Sequence, residues 1–313
     1  MLLLRTKSTL KILRIIYKNS KRIYLVNKII RSLDPNNLLK NGFRLNNEIK
    51  VIVKDNLKLK YYLDLNEHID FNIFMIGRFD NTCYSIIKNL DKKFVAKMAF
   101  IDIGSNIGSV AISIASLGIK VISIEPLRSN YNKIKINQQL NGIQFDVVNK
   151  ALVANPSQKN LIIYESPGNR GASSYRSDWH VPNGMKIPNV VDCETLDSLM
   201  QGYENASQIE YKFLKIDVEG MESDVLEGGM NFIKQSLPYI FIEWRNDKLT
   251  HQEKYRIRNL IEYLEDFYFV LVISYLSEDL ILSLNFDPEL SYENILLVPN
   301  LDPLGIKQLF PIS

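Results

Sequence analysis

Phe100-Ile-Asp-Ile-Gly-Ser-Asn-Ile-Gly108 is the stretch that decides the fold of this 313-residue chain. Four residues of a buried strand, Phe100 to Ile103, run into a glycine turn, and Ile107 to Leu117 then carry the small and aliphatic side chains of a helix ending at Gly118. Lys120 to Ile124 reads as the next strand. A strand, turn, helix and strand in this order favour parallel strands with helices on both faces. Outward from there the alternation continues: helix 127–140, strand 145–152, strand 161–164, a long loop 165–189, strand 190–193, helix 195–201, strand 211–218, helix 221–235, strand 239–244, helix 251–265, and strands 267–274 and 294–298. The expectation is a doubly wound α/β domain with a mostly parallel sheet, spanning residues 91–313, behind an N-terminal extension of residues 1–90. That extension carries a basic amphipathic helix, a β-hairpin where residues 48–65 alternate apolar and polar, and helices between 67 and 90 broken at Gly77.

In such a sheet a ligand sits beyond the carboxyl ends of the strands, where the strand order reverses. Gly104 and Gly108 permit tight turning, and the first amides of the following helix are free to meet an anion. Glu125 ends the second strand about twenty residues on, where an acid can take hydrogen bonds from ribose hydroxyls. A dinucleotide fingerprint needs glycine at its second position to admit a pyrophosphate; here that position is Asn106. Asp102 instead stands at the strand end, placed to meet an ammonium group. A nucleoside cofactor with an amino-acid head fits Asp102, Gly104, Ser105, Asn106, Gly108, Glu125 and Pro126 better than NAD does.

A second set of polar residues lies at Lys215, Asp217, Glu219 and Glu222, with Glu243 ending the next strand. Strand alternation puts Lys215 and Asp217 on one face, and the four carboxylates are expected on one rim. Asp217, expected to border the cofactor's sulfonium and so counted with the cofactor-binding residues too, is the first choice as a general base, then Glu219 or Glu243; Lys215 either joins the catalytic set or neutralises a neighbouring acid, and Glu222 serves the helix start. No metal is assigned. In the loop 165–189, Arg170, Tyr175, Arg176, Trp179 and His180 are the candidate acceptor-binding residues, since rings stack on sugar faces and guanidiniums read hydroxyls or acids. His180 can equally be an exposed loop residue.

Several segments together resemble the FkbM family of methyltransferases: Phe74-Met-Ile-Gly77-Arg-Phe79, Phe100 to Gly108, Ile124-Glu-Pro126 with Asn130 and Asn137, Asn149-Lys-Ala-Leu152, Thr195-Leu-Asp-Ser-Leu199, Leu214-Lys-Ile-Asp-Val-Glu-Gly-Met-Glu222 and Ile242-Glu243. The resemblance covers residues 60 to 300, with Phe79-Asp80 standing where the family often has an aromatic residue and Glu. It implies a seven-stranded class I fold, S-adenosylmethionine as donor, and methylation of a hydroxyl on a sugar, glycan or natural product. It also implies that Asp102, Gly104, Asn106 and Glu125 hold the cofactor, with Lys150 and Ala151 near its adenine. An NAD-type oxidoreductase, a non-catalytic nucleoside-binding module and a membrane-surface adaptor are the competing readings.

Composition excludes other classes. With 46% hydrophobic and 23% charged residues, the chain is neither disordered nor fibrous. Cys83 and Cys193 are too few and too far apart for a disulfide framework or a metal site. No apolar run reaches the ~18 residues of a membrane span, so a cytoplasmic protein is expected, without nucleic acid as partner. Nine basic residues, Arg5 to Arg31, precede the first acid, Asp34. The expectation is a helix packed on the catalytic domain with its basic face in water; peripheral contact of residues 1–33 with an inner membrane surface is the alternative.

Overall fold

The computed structural model describes residues 7–19, 33–35, 49–80, 82–177, 186–203, 209–244, 249–276, 279–287, 290 and 294–306. Trp179, His180 and much of the basic N-terminus lie outside them. The N-terminal part contributes helix α1 (Lys7–Asn19), strands β1 (Lys50–Lys54) and β2 (Lys60–Asp64), and helices α2 (His68–Ile76), α3 (Thr82–Ile87) and α4 (Lys92–Val95). Then β3 (Met98–Ile103), α5 (Ser109–Ala115), β4 (Lys120–Ile124), α6 (Arg128–Asn141) and β5 (Asp146–Val148) alternate. Next come β6 (Ala151–Leu152), β7 (Asn160–Glu165), β8 (Ile187–Glu194), α7 (Leu196–Gln201), β9 (Tyr211–Ile216), α8 (Glu222–Gly228), α9 (Met230–Ser236) and β10 (Tyr239–Glu243). The chain closes with α10 (His251–Leu264), β11 (Tyr268–Leu276), β12 (Asp279–Ser283) and β13 (Asn294–Pro299).

The main sheet has the order β12-β11-β13-β10-β9-β3-β4-β5. Its pairs from β10 to β5 are parallel, whereas β13, β11 and β12 are joined antiparallel. Every residue of β3 is buried, as a central strand covered on both faces must be. Ile101, Ile103, Leu214, Ile216, Ile240 and Ile242 face α7, α8 and α10, while Phe100, Phe213 and Phe241 face α3 and α5. From β3 the chain winds one way to β4 and β5, then returns to place β9 and β10 on the other side. The order therefore reverses between β3 and β9, which fixes the cleft at their carboxyl ends.

This is an α/β fold with a mixed sheet of eight strands among the described residues, rather than the expected seven that are mostly parallel. The extra strand is β12, whose short Leu280–Leu282 run turns back on β11 in register from Val272↔Ser283 to Leu276↔Asp279. Two expected elements also divide. The strand 145–152 breaks at Asn149 and Lys150, because β5 ends the main sheet while β6 joins β8 in a separate three-stranded sheet, β6-β8-β7. The helix 221–235 breaks at Gly228 and Gly229; a Cβ would fall 2.3 Å from the Val153 carbonyl oxygen at the first and 2.5 Å from Leu196 at the second. The strand expected at 190–193 runs from Ile187 to Glu194 and pairs antiparallel with β7, which shortens the loop before it.

The N-terminal elements pack as their own layer. Leu10, Val51, Val53, Tyr61, Leu63, Phe71 and Phe74 form one apolar cluster that reaches Ile107 and Ile112 at the start of α5. Asp70, fully buried, accepts from the backbone N–H of Asp64 and pairs with Lys133 of α6, which fastens this layer to the sheet's helices. No helix among the described residues is long and apolar enough to cross a membrane.

Candidate active site

The turn after β3 is built on backbone approach. Gly104 has φ +82°, and a Cβ there would lie 1.8 Å from the carbonyl oxygen of Asp217 at the end of β9. Only glycine allows the two strand ends to touch in this way. Ser105 donates its hydroxyl to the Asp102 carbonyl at 2.7 Å and accepts from Ser123 at 2.7 Å, pinning the turn to β4. Asn106, at φ +53°, donates its backbone N–H to Glu125 Oε2 at 2.8 Å. The other oxygen of Glu125 accepts from the backbone N–H of Leu127 at 2.9 Å and from Asn130 Nδ2 at 3.5 Å. Glu125 is thus a clasp between turn and strand before it meets any ligand. Burial pushes its carboxyl up to about 8, against these three donors, which favour the anion.

Two adjoining clefts open above this turn. The first holds about 600 Å³ and is lined by Gly104, Asn106, Glu125, Pro126, Lys150, Ala151, Arg170, Tyr175 and Asp217, together with Leu127, Ile163 and Met221. The second, about 1020 Å³, is lined by Asp102, Ser105, Lys215, Asp217, Glu219 and Glu243. They share Gly104, Asn106, Gly171, Asp217 and Glu219, so each opens onto the other. Gly108 lines neither; it caps α5 against Ile134, which a Cβ would meet at 3.2 Å.

Asp102 and Lys215 are the charged groups deepest in the second cleft. Asp102 is fully buried, and neither of its carboxylate oxygens has a hydrogen-bond partner among the described residues. Burial raises its carboxyl to about 6, although Lys215 opposes the shift. Lys215 Nζ stands 2.7 Å from Asp217 Oδ2 and 4.0 Å from Asp102 Oδ1. Burial works against the charge on Lys215, but Asp217, Asp102 and Asp80 together raise its pKa above the ordinary lysine value. Asp217, Glu219 and Glu243 bring carboxylate oxygens within 4.8 Å of one another.

The fourth expected rim acid, Glu222, does not join them. Its carboxylate turns back to accept from the backbone N–H groups of Val218 and Gly220, and burial raises its pKa to about 7. Tight turns after strands need such acceptors, and Glu219 itself holds φ +52° there. Of the expected acceptor-binding residues, Arg170 and Tyr175 reach the first cleft; Arg176 pairs with Glu253 instead. Arg170 is gripped by Glu67 at 2.8 Å and by Glu165. That grip holds the short turn Arg170–Ala172 against Ile69 and Asn106, so Gly171 borders both clefts.

The second cleft also contains residues outside the expected site set. His68, Phe79 and Asp80 line it from the N-terminal layer. His68 Nδ1 lies 2.8 Å from both oxygens of Asp34, and its ring meets Phe79 edge-on with centroids 6.2 Å apart. Asp34 and His68 are thirty-four positions apart in the chain, and nothing in the spacing links them.

Comparison with known proteins bears on this geometry. A search of the curated proteins finds no match. Among solved structures, the chain is similar to a methyltransferase FkbM from Methylobacillus flagellatus KT at 16% identity and TM-score 0.38, covering 64% of this chain and 42% of that one. It thus spans less than half the length of that protein. A SAM-dependent methyltransferase from Agrobacterium tumefaciens aligns at 9% identity and TM-score 0.39, over 82% of this chain and 70% of that one. An O-methyltransferase from Bacillus cereus in complex with SAH aligns at 12% identity and TM-score 0.36, over 73% of this chain and 94% of that one. Residues 102–278, more than half of the chain, match the family described as Methyltransferase FkbM domain. The protein with this glycine turn and acid-lined double cleft belongs to the FkbM methyltransferase family.

Proposed function

We propose that the protein transfers a methyl group from S-adenosylmethionine to a hydroxyl of a sugar, a glycan or a natural product. The observation that carries this reading is Asp102, a buried carboxylate whose two oxygens make no close hydrogen bond among the described residues and whose nearest cation, Lys215, stands 4.0 Å away, beside a cleft lined by Glu125, Lys150 and Ala151. A buried acid without close hydrogen bonds is costly, and a cationic ammonium would supply them. Asp102, Gly104 and Asn106 would hold the amino-acid head, Glu125 and Pro126 the ribose side, and Lys150 and Ala151 the adenine side. When bound, the cofactor supplies an electrophilic methyl carbon. The chain's own work is to align the acceptor and remove its proton. Asp217 or a neighbouring acid would take the proton of the acceptor hydroxyl as its oxygen is methylated, with Lys215 holding the Asp217 carboxylate in place.

Incubation with methyl-tritiated S-adenosylmethionine and a panel of glycans and polyhydroxylated metabolites tests the reading; label in a hydroxyl-bearing product supports it. Calorimetric binding of NAD without binding of S-adenosylmethionine would sink it.

A sharper prediction concerns Asp102→Asn. Loss of a charge-assisted hydrogen bond, about 1.5–3 kcal/mol, is expected to weaken S-adenosylmethionine binding by about 10- to 100-fold. The ligand-free protein should become no less stable. The Asp102 carboxyl titrates at about 6 when folded and at about 3.9 when unfolded, so the folded chain holds the proton more tightly. Stability then falls as pH rises from about 4 to about 6, by up to about 3 kcal/mol. Asp102→Asn should remove that fall in urea titrations across the range, and unchanged cofactor affinity would remove Asp102 from the binding set.

A further inference from the structure

Among the described residues, helix α1 is anchored by one side. Leu10 is fully buried in the cluster with Phe71 and Phe74, Leu13 packs against it, and Arg14 lies over the Phe74 ring at 4.9 Å. Arg14 also donates to the Lys54 carbonyl oxygen at 3.1 Å, which sets α1 beside the hairpin of β1 and β2. The opposite stripe of the helix, Ser8, Lys11, Ile12 and Ile15, is exposed, with Ile12 58% and Ile15 61% accessible. Residues three and four apart share a face, so these two isoleucines flank Lys11 on one surface.

The hairpin repeats the pattern by a different route. Strand alternation turns Val51 and Val53 into the shared cluster and Lys50, Ile52 and Lys54 outward, with Ile52 59% accessible. Lys58 and Lys60 are exposed as well, while the acids Asp55 and Asp64 are buried. Among the described residues of this hairpin, every exposed charged side chain is therefore basic. Ahead of it, residues 1–33 contain nine Lys and Arg and no acid.

We propose that the outer face of α1 and of the β1–β2 hairpin is a docking surface for an anionic lipid membrane, on which the enzyme rests without crossing it. Lysines set among isoleucines match an interface where acyl chains lie directly beneath negative headgroups. A nucleic-acid backbone would use the lysines but gain nothing from Ile12, Ile15 and Ile52. Each basic residue near such a surface adds to binding, and salt weakens it. The proposal goes beyond methyl transfer and uses none of the cofactor geometry, so the two can fail separately.

Sedimentation of the full chain with phosphatidylcholine vesicles containing about 30% phosphatidylglycerol tests it. Expected is at least about tenfold more binding than to pure phosphatidylcholine at low salt, and about tenfold less for the Ile12→Ser/Ile15→Ser chain, whose fold is checked by an unchanged Tm. A second chain, Ile52→Ser, serves if the double change alters Tm. Equal binding to neutral vesicles, no binding at all, or isoleucine variants that bind as the parent does would each overturn the proposal. So would displacement from vesicles by single-stranded RNA together with equal RNA binding by the isoleucine variants, which would make the lysines a nucleic-acid surface.

Discussion

Turnover by the Asp217→Asn chain is expected to fall about 10²- to 10⁴-fold, the usual contribution of a positioned general base, while affinity for S-adenosylmethionine stays within a few-fold. Asp217 stands where the two clefts meet, at the end of β9, and its carboxylate is steadied by Lys215 Nζ at 2.7 Å. An amide in its place keeps the volume and accepts the same lysine hydrogen bond, but it cannot take a proton from an alcohol. An alcohol is a weak nucleophile until that proton leaves, so the loss belongs to kcat and not to cofactor binding. Isothermal titration with S-adenosylmethionine and initial rates on the labelled acceptor separate the two. A fall smaller than about tenfold would put the base elsewhere. Glu219, Glu243 and His68, which is bonded to Asp34, line the same cleft, and single substitutions at each would then find it.

The sites that were legible in the sequence are those in which one local pattern carries the chemistry. A continuous apolar run ending in Asp102, a glycine turn and an acid closing the next strand already specify a cleft at the β3 and β4 ends. Alternation along β9 places Lys215 beside Asp217 without further information, and their 2.7 Å contact is the outcome. What stayed hidden depends on partners brought from afar. Glu125 can be located at a strand end, but not that the backbone of Asn106 and Leu127 claims both its oxygens. Glu222 lies three residues after Glu219 on the expected rim, yet the tight turn at Gly220 takes its carboxylate for backbone N–H groups. His68 is one of three histidines in the chain and lies in a layer whose contact with the cleft only tertiary packing creates. The eighth strand was missed for a related reason: an apolar run as short as Leu280–Leu282 reads as strand only once β11 lies beside it.

Lys215→Met should be the most destabilising single change in the cleft, costing about 3–5 kcal/mol, the scale for removing one partner of a buried ion pair. Lys215 is almost wholly buried and stands between Asp217 at 2.7 Å and Asp102 at 4.0 Å. Methionine fills the same space, so the loss is electrostatic: two carboxylates are left facing one another without the cation that offsets them. The folded state raises the pKa of Lys215, so its stabilising effect is present at all pH values below its unfolded value of about 10.4 and disappears only above that. Asp102 responds on the other side of neutrality. Its carboxyl titrates at about 6, so at pH 5 it already holds a proton and needs the lysine less. Urea unfolding of Lys215→Met should accordingly show a smaller loss at pH 5 than at pH 8. Adding Asp102→Asn removes one of the stranded charges and should recover about 1–3 kcal/mol at pH 8, the coupling expected of groups that share one network. If the two changes instead sum without coupling, and the loss is the same at both pH values, Lys215 holds the fold through packing alone and the triad of Asp102, Lys215 and Asp217 does not act as an electrostatic unit.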